Sequence, residues 1–153
     1  MAYEQLKLEN QICFPVYAAS RLITREYQPY LEELGLTYPQ YLVLLVLWEQ
    51  DELTVNDIAK KLILNTNTLT PLLKRMEGQG LLTRVRSRQD ERKVIVCLTE
   101  AGQEMQAKAA GIPERLVTGL SGGPMTAADV VQLKQQLDSL VAYLAAKEDQ
   151  PPE

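Results

Sequence analysis

The sequence predicts a mainly α-helical fold carrying one small β-hairpin. Apolar residues recur at three- and four-residue spacing over most of the chain, the mark of helices packed along one face. Between residues 54 and 79 two such stretches are short and consecutive, each opened by a polar cap. The period then changes to two over 81–87 and 93–98, joined by Arg88-Gln-Asp-Glu-Arg92, which reads as a hairpin. Helix, turn, helix, strand, loop, strand is the order of a winged helix-turn-helix. Its second helix suits the DNA major groove, with the hairpin alongside.

The elements follow in order. A first helix is expected over 10–34, where Ile12, Val16, Ala19, Ile23, Tyr27 and Tyr30 share a face. Pro15 has no N–H and disfavours helix in the residue before it, so the regular helix begins near Cys13 or is kinked there. Gly35 ends it. Thr37-Tyr-Pro-Gln40 is a start signal, with Thr37 as cap, Gln40 three residues on and Pro39 in the first turn. The helix over 38–50 is apolar nearly all round and therefore core.

Asp51-Glu-Leu53 leads into the central lobe. Thr54-Val-Asn-Asp57 reads as a capping box, followed by Val55, Ile58, Ala59 and Leu62 on one face. Asn65-Thr-Asn-Thr68 opens the next helix, expected to reach Gln79. Leu69, Leu72, Leu73 and Met76 are its apolar side, Pro71 lies near its first turn, and Gly80 is its stop. Thr99 caps a long helix through Met105 and Ala109, broken at Gly111-Ile-Pro113 and resumed to Leu120. After the turn Ser121-Gly-Gly-Pro124, Thr126-Ala-Ala-Asp129 is a further capping box. The last helix carries Val130, Leu133, Leu137, Leu140, Val141 and Leu144, a helix–helix seam. A flexible tail is expected at 148–153.

The reading is thus a single domain over 1–153. The winged lobe spans 51–99 and the flanking helices span 5–50 and 100–147. Those flanking helices have more apolar face than so small a lobe can cover. A homodimer is expected, with two recognition helices on half-sites about one turn of DNA apart.

Composition narrows the chemistry. The chain has no histidine and two cysteines, Cys13 and Cys97, so neither a Cys/His zinc site nor histidine acid–base catalysis is expected. No metal, no cofactor and no enzymatic activity are expected. No apolar run approaches the roughly 20 residues of a membrane span, and no leader is visible, so the expected compartment is the cytoplasm and no membrane partner is expected. The net charge of −4 hides a division: residues 60–93 hold nine lysines and arginines against three acids, an excess of +6 that leaves −10 for the rest. A basic face on an acidic body attracts phosphate locally and repels it elsewhere.

Candidate residues follow from that division. Asn65, Thr66, Asn67, Thr68 and Thr70, at the start of the recognition helix, can reach base edges or phosphates, although one or two will serve only as caps. Lys74 and Arg75 suit phosphates, as do Arg84 and Arg86 on the wing. Arg88 and Arg92 stand at the wing loop, where a guanidinium can enter a narrow minor groove. Asp90 between them would repel DNA unless it holds Arg92. Outside the lobe, Cys13 falls in or beside the first helical turn, where backbone N–H groups stabilise a thiolate. Phenols can donate to such a thiolate: Tyr17 is one turn on, and Tyr27 and Tyr38 lie further along. Cys13 and Tyr27 are 14 residues apart in sequence, about 21 Å along a helix. They can meet only across a dimer whose first helices run antiparallel.

Leu64-Asn-Thr-Asn-Thr-Leu-Thr-Pro-Leu-Leu-Lys-Arg-Met-Glu77, Gly80-Leu-Leu-Thr-Arg84, Asp90-Glu-Arg-Lys93 and Leu98-Thr-Glu-Ala-Gly102 resemble the MarR family of bacterial regulators. Asn10-Gln-Ile-Cys-Phe14, Tyr17 and Leu36-Thr-Tyr-Pro-Gln-Tyr41 resemble its organic-hydroperoxide-sensing repressors, the OhrR branch. The likeness spans about residues 6–147. It implies a dimeric repressor of double-stranded, pseudo-palindromic operator DNA, released when an organic hydroperoxide oxidises Cys13. It further implies that Tyr27 and Tyr38 of the partner subunit hydrogen-bond the thiolate, and that Asp90 and Arg92 form the wing pair. No cysteine lies over 116–129, where many branch members carry a second one. The chain therefore resembles the one-cysteine type, in which a small external thiol traps the sulfenic acid or over-oxidation follows. Cys97, in a wing strand, reads as packing. The alternative reading is a repressor released by a small aromatic ligand, with Cys13 structural.

Overall fold

The computed structural model describes residues 3–148. Beyond Glu148, the tail expected to be flexible lies outside the described residues. Two single 3-10 turns, Glu4–Leu6 and Leu8–Asn10, precede α1 (Cys13–Glu33). The side-chain amides of Asn10 and Gln11 hold this N-terminal coil by donating to the carbonyls of Glu4, Gln5 and Lys7. Regular helix therefore begins at Cys13, one of the two geometries Pro15 allowed, and three residues later than the periodicity alone suggests. Pro15 is the third helical residue, where a backbone N–H would have no intrahelical acceptor. Pro29, deep in the same helix, removes the bond that would reach the Arg25 carbonyl. Gly35, at φ +68°, turns the chain, and Leu36 N–H closes on the Leu31 carbonyl at 2.9 Å.

Helix α2 (Tyr38–Glu49) opens with a complete capping box between Thr37 and Gln40. Tyr41, Val43, Leu44, Val46 and Leu47 are all buried, so α2 is the centre of the core. Against it pack α3 (Val55–Leu62) and α4 (Thr66–Gly78), which contribute Ile58, Leu69, Leu73 and Met76 at essentially zero exposure. Burying each side chain of this size stabilises the fold by about 1.5–3 kcal/mol.

The wing is a three-stranded antiparallel sheet rather than the expected hairpin. β2 (Leu82–Arg86) and β3 (Val94–Leu98) pair, and β1 (Leu53–Thr54) adds to the other edge of β3, Leu53 opposite Val96. Two residues carry no periodicity of their own; β1 is a strand because β3 offers it an edge. Thr54 consequently serves both β1 and the cap of α3. Its hydroxyl accepts from Asp57 N–H at 3.1 Å and donates to the Asp57 carboxylate at 2.6 Å, so the carboxylate takes the hydroxyl proton that a full box would have left free. In α4 the cap is Asn65, which makes Pro71 the sixth helical residue, in the second turn rather than the first.

Thr99 caps α5 (Glu100–Ala109) and its hydroxyl donates to the Gly80 carbonyl at 2.6 Å. The chain breaks at Gly111 and continues as α6 (Ile112–Leu120), then α7 (Ala127–Glu148) behind the Thr126–Asp129 box. Trp48 Nε1 donates to the Gly102 carbonyl at 2.9 Å and ties the end of α2 to the start of α5.

Candidate functional site

The recognition helix α4 exposes Asn65, Thr66, Asn67 and Thr68 at its N-terminus and Lys74 and Arg75 further along; Thr70 is half-buried. Asn65 is a cap, with Oδ1 accepting from Thr68 N–H at 2.8 Å. The wing loop is built by Ser87 and Asp90. Ser87 Oγ accepts from the N–H groups of Gln89 and Asp90, and Asp90 Oδ1 accepts from Arg92 N–H at 3.1 Å. Asp90 thus holds the backbone of Arg92 in the turn. Arg86, Arg88 and Arg92 are exposed, and Arg92 lines a cleft with Thr66 and Thr70 of α4.

Arg84 stands apart from these cations. Its Nε and Nη2 donate to Glu77 Oε2 at 3.1 and 2.9 Å, and its backbone N–H donates to Glu77 Oε1 at 3.0 Å. The pair clamps α4 to β2. Those hydrogen bonds hold the Glu77 carboxyl below the usual glutamate range. Sequence reasoning counted Arg84 among the DNA-facing charges; the seven-residue step back to Glu77 across Gly80 gave no helical spacing that would reveal the clamp.

Cys13 is exposed at the first position of α1, and Ile12 before it caps nothing with its side chain. The first backbone N–H groups of α1 are therefore open. Tyr17 is exposed too, with the Arg21 guanidinium 5.5 Å from its ring. Tyr27 and Tyr38 come together: their ring centroids are 5.0 Å apart across α1 and α2. The structure adds Tyr41, whose centroid is 5.8 Å from Tyr27 and 6.4 Å from Tyr38. Tyr41 was hidden in the all-apolar run of α2. Trp48 meets Tyr41 edge-on at 6.3 Å.

Within one chain this cluster and Cys13 stay apart, since α1 separates them by about 21 Å of helix rise. Burial, and then the neighbouring Tyr38 and Tyr41, push the Tyr27 phenol from 10.0 up to about 12. Burial also raises Tyr38, and burial followed by Tyr38 raises Tyr41. All three are neutral O–H donors near neutral pH. The native state holds the Tyr27 proton where the unfolded chain has lost it. Its stabilising contribution is complete below pH 10 and disappears as pH rises to about 12. In urea unfolding, wild type is expected to lose more stability than Tyr27→Phe across that window, and the variant is expected to lack the phenolate absorbance step near pH 12.

The described residues contain no helix long and apolar enough to cross a membrane. The model of the transcriptional regulator SarA/Rot family matches residues 25–108, which include the tyrosine cluster and the winged lobe but begin after Cys13. The organic hydroperoxide resistance transcriptional regulator of Bacillus subtilis (strain 168) is 49% identical over 145 residues, covering 95% of this chain and 97% of that protein. Among solved structures, reduced AbfR bound to DNA is 40% identical with a TM-score of 0.68, covering 91% of this chain and 98% of that one. Overoxidized AbfR bound to DNA is 42% identical with a TM-score of 0.69, covering 92% and 99%; AbfR is a protein of Staphylococcus epidermidis. The winged lobe, the open helix start at Cys13, the tyrosine cluster and these likenesses converge: the chain belongs to the MarR family of winged helix-turn-helix transcriptional regulators, in its organic-hydroperoxide-sensing branch.

Proposed function

We propose that two copies of this chain form one repressor, which grips a pseudo-palindromic operator while Cys13 is reduced and lets go when an organic hydroperoxide oxidises it. In this reading the thiolate attacks the outer peroxide oxygen and the O–O bond breaks. The alkoxide leaves and takes a proton to become the alcohol, and sulfur, oxidised by two electrons, becomes a sulfenic acid. A small external thiol then condenses with it as a mixed disulfide, releasing water.

The observation that carries the reading is the separation of the two halves of the sensor. An exposed cysteine sits at one end of α1, and two neutral phenols with overlapping surroundings sit about 21 Å away at the other. An antiparallel partner helix would bring each cysteine to the other chain's Tyr27 and Tyr38. Exposed Ile12 just before α1, Phe14, Val16 and Leu22 on α1, and Leu133, Leu140, Val141 and Leu144 on α7, support such an interface, because apolar faces of this extent need cover. The helices over 5–50 and 100–147 would then serve dimerisation, and the lobe over 51–99 would read DNA through α4 and the wing arginines. DNA in the complexes of AbfR supports the operator as partner.

The test uses a labelled duplex selected from a random pool by the reduced protein. Its anisotropy is followed as an equimolar amount of cumene hydroperoxide is added, and the intact mass is read from the same sample. Release that tracks the gain of one oxygen, or of a thiol adduct when a small thiol is present, is the expected result. A protein that is oxidised by mass yet keeps its affinity overturns the reading.

A further inference from the structure

We infer that the hydrogen bond between Gln40 and Gln79 is the link through which the tyrosine cluster positions the recognition helix. The inference rests on the redox reading above and adds to it the residues that carry the signal between sensor and reader.

Gln40 is the buried polar side chain of the core, only 4% exposed. Its Oε1 accepts from Thr37 N–H at 3.0 Å and closes the capping box of α2. That task needs only an acceptor. Its amide nitrogen has a second partner: Nε2 donates to Gln79 Oε1 at 3.0 Å, across 39 residues of sequence. Gln40 Nε2 is held out of water, so separating it from Gln79 without a replacement leaves a buried donor unpaired, whereas the exposed Gln79 returns to solvent. The bond therefore resists sliding of one helix past the other.

Its two ends lie at telling places. Gln40 stands between Tyr38 and Tyr41 in the first turn of α2, so a displacement of that turn that follows the rings carries Gln40 with it. Gln79 is the C-cap of α4, with its own N–H on the Arg75 carbonyl. The next residue, Gly80 at φ +74°, is held by the Thr99 hydroxyl at 2.6 Å. The C-terminal end of α4 is thus pinned to α2 on one side and to α5 on the other. Displacing the first turn of α2 swings α4 about that end, and the swing is largest at the exposed N-terminal residues that face DNA. Among the described residues, this is the side-chain hydrogen bond that crosses from α2 to α4.

Gln79 is exposed, so it can be changed without touching the capping box. Gln79→Ala removes the acceptor, whereas Gln79→Glu keeps a carboxyl oxygen for Gln40 Nε2. Operator Kd is measured for the reduced and peroxide-treated forms of each, with Cys13 oxidation followed by intact mass and folding by circular dichroism. Gln79→Ala is expected to oxidise like wild type, while the ratio of oxidised to reduced Kd falls about tenfold, the size of one such bond. Gln79→Glu is expected to keep the wild-type ratio. An Ala variant with the wild-type ratio, or Ala and Glu variants that lose it equally, would overturn the link and leave the redox reading intact. A wild type that stays bound after Cys13 is oxidised overturns the redox reading and the link with it.

Discussion

Replacing Cys13 by serine is expected to abolish the peroxide response while leaving operator binding by the untreated protein nearly unchanged. Serine keeps the size and the hydrogen-bonding capacity of the side chain but offers no sulfur to oxidise. Cys13 stands at a helix start outside the core of its own chain, and in the proposed dimer a serine hydroxyl can still accept from the partner's phenols. A near-isosteric exchange that keeps those contacts is expected to shift the free energy by roughly 0.5 kcal/mol or less, about twofold in Kd. The matched control is Cys97→Ser. Cys97 lies half-buried in β3, where burial, and then the carboxylates of Asp51 and Glu52, push its thiol up and disfavour the thiolate that peroxide chemistry requires. Cys97→Ser should therefore respond to cumene hydroperoxide as wild type does. Anisotropy on one labelled duplex checks both variants. Release of Cys13→Ser at the wild-type peroxide dose would move the sensor elsewhere.

Gly102→Ala is expected to destabilise the protein by about 2 kcal/mol, the middle of the range for forcing a methyl into filled space. Helix propensity alone predicts the opposite sign, since alanine is favoured over glycine in a helix by about 1 kcal/mol. Local space decides. A Cβ on Gly102 would lie 2.1 Å from the Leu81 carbonyl oxygen and 3.1 Å from Leu98 Cδ2. The oxygen is backbone and already accepts from Thr99 N–H at 3.1 Å, so relief of the clash must disturb the junction of β2, β3 and α5. The Gly102 carbonyl would carry Trp48 with it. Gly119→Ala is the contrast: a Cβ there meets nothing within 4 Å, and the substitution should stabilise α6 by roughly 0.5–1 kcal/mol. Urea midpoints at one fixed protein concentration compare the two; a neutral Gly102→Ala would show that the junction yields without cost.

Those details mark what the sequence could and could not convey. Caps and stops were legible because they are local: Thr37 with Gln40, Thr126 with Asp129, and Gly35 and Gly80 all act within a few residues. The winged order was legible from the change of period. Features made by distant partners were not. β1 needs the edge of β3, the Glu77–Arg84 clamp needs the turn at Gly80, and Gln40 looks like half of a capping box until Gln79 arrives beside it. Tyr41 disappeared into an apolar run whose every residue reads as core. On the candidate sensor, sequence supplied the residue types and the spacing that forbids contact in one chain. The third ring and the elevated Tyr27 phenol came only with the packing.

The edge strand β1 has a mechanical meaning. It stitches the entry of α3 to the wing, while the Glu77–Arg84 clamp stitches α4 to the same sheet and Asp51 Oδ1 takes the Leu98 N–H at 2.9 Å. These ties join α3, α4 and the wing sheet to one another, so in the proposed switch the lobe would move as one body. A displacement at the C-terminal end of α4 would then be carried through those ties to the wing tip. DNA would then feel the sensor as geometry, the distance between two rigid hands, rather than as a loss of grip in either one.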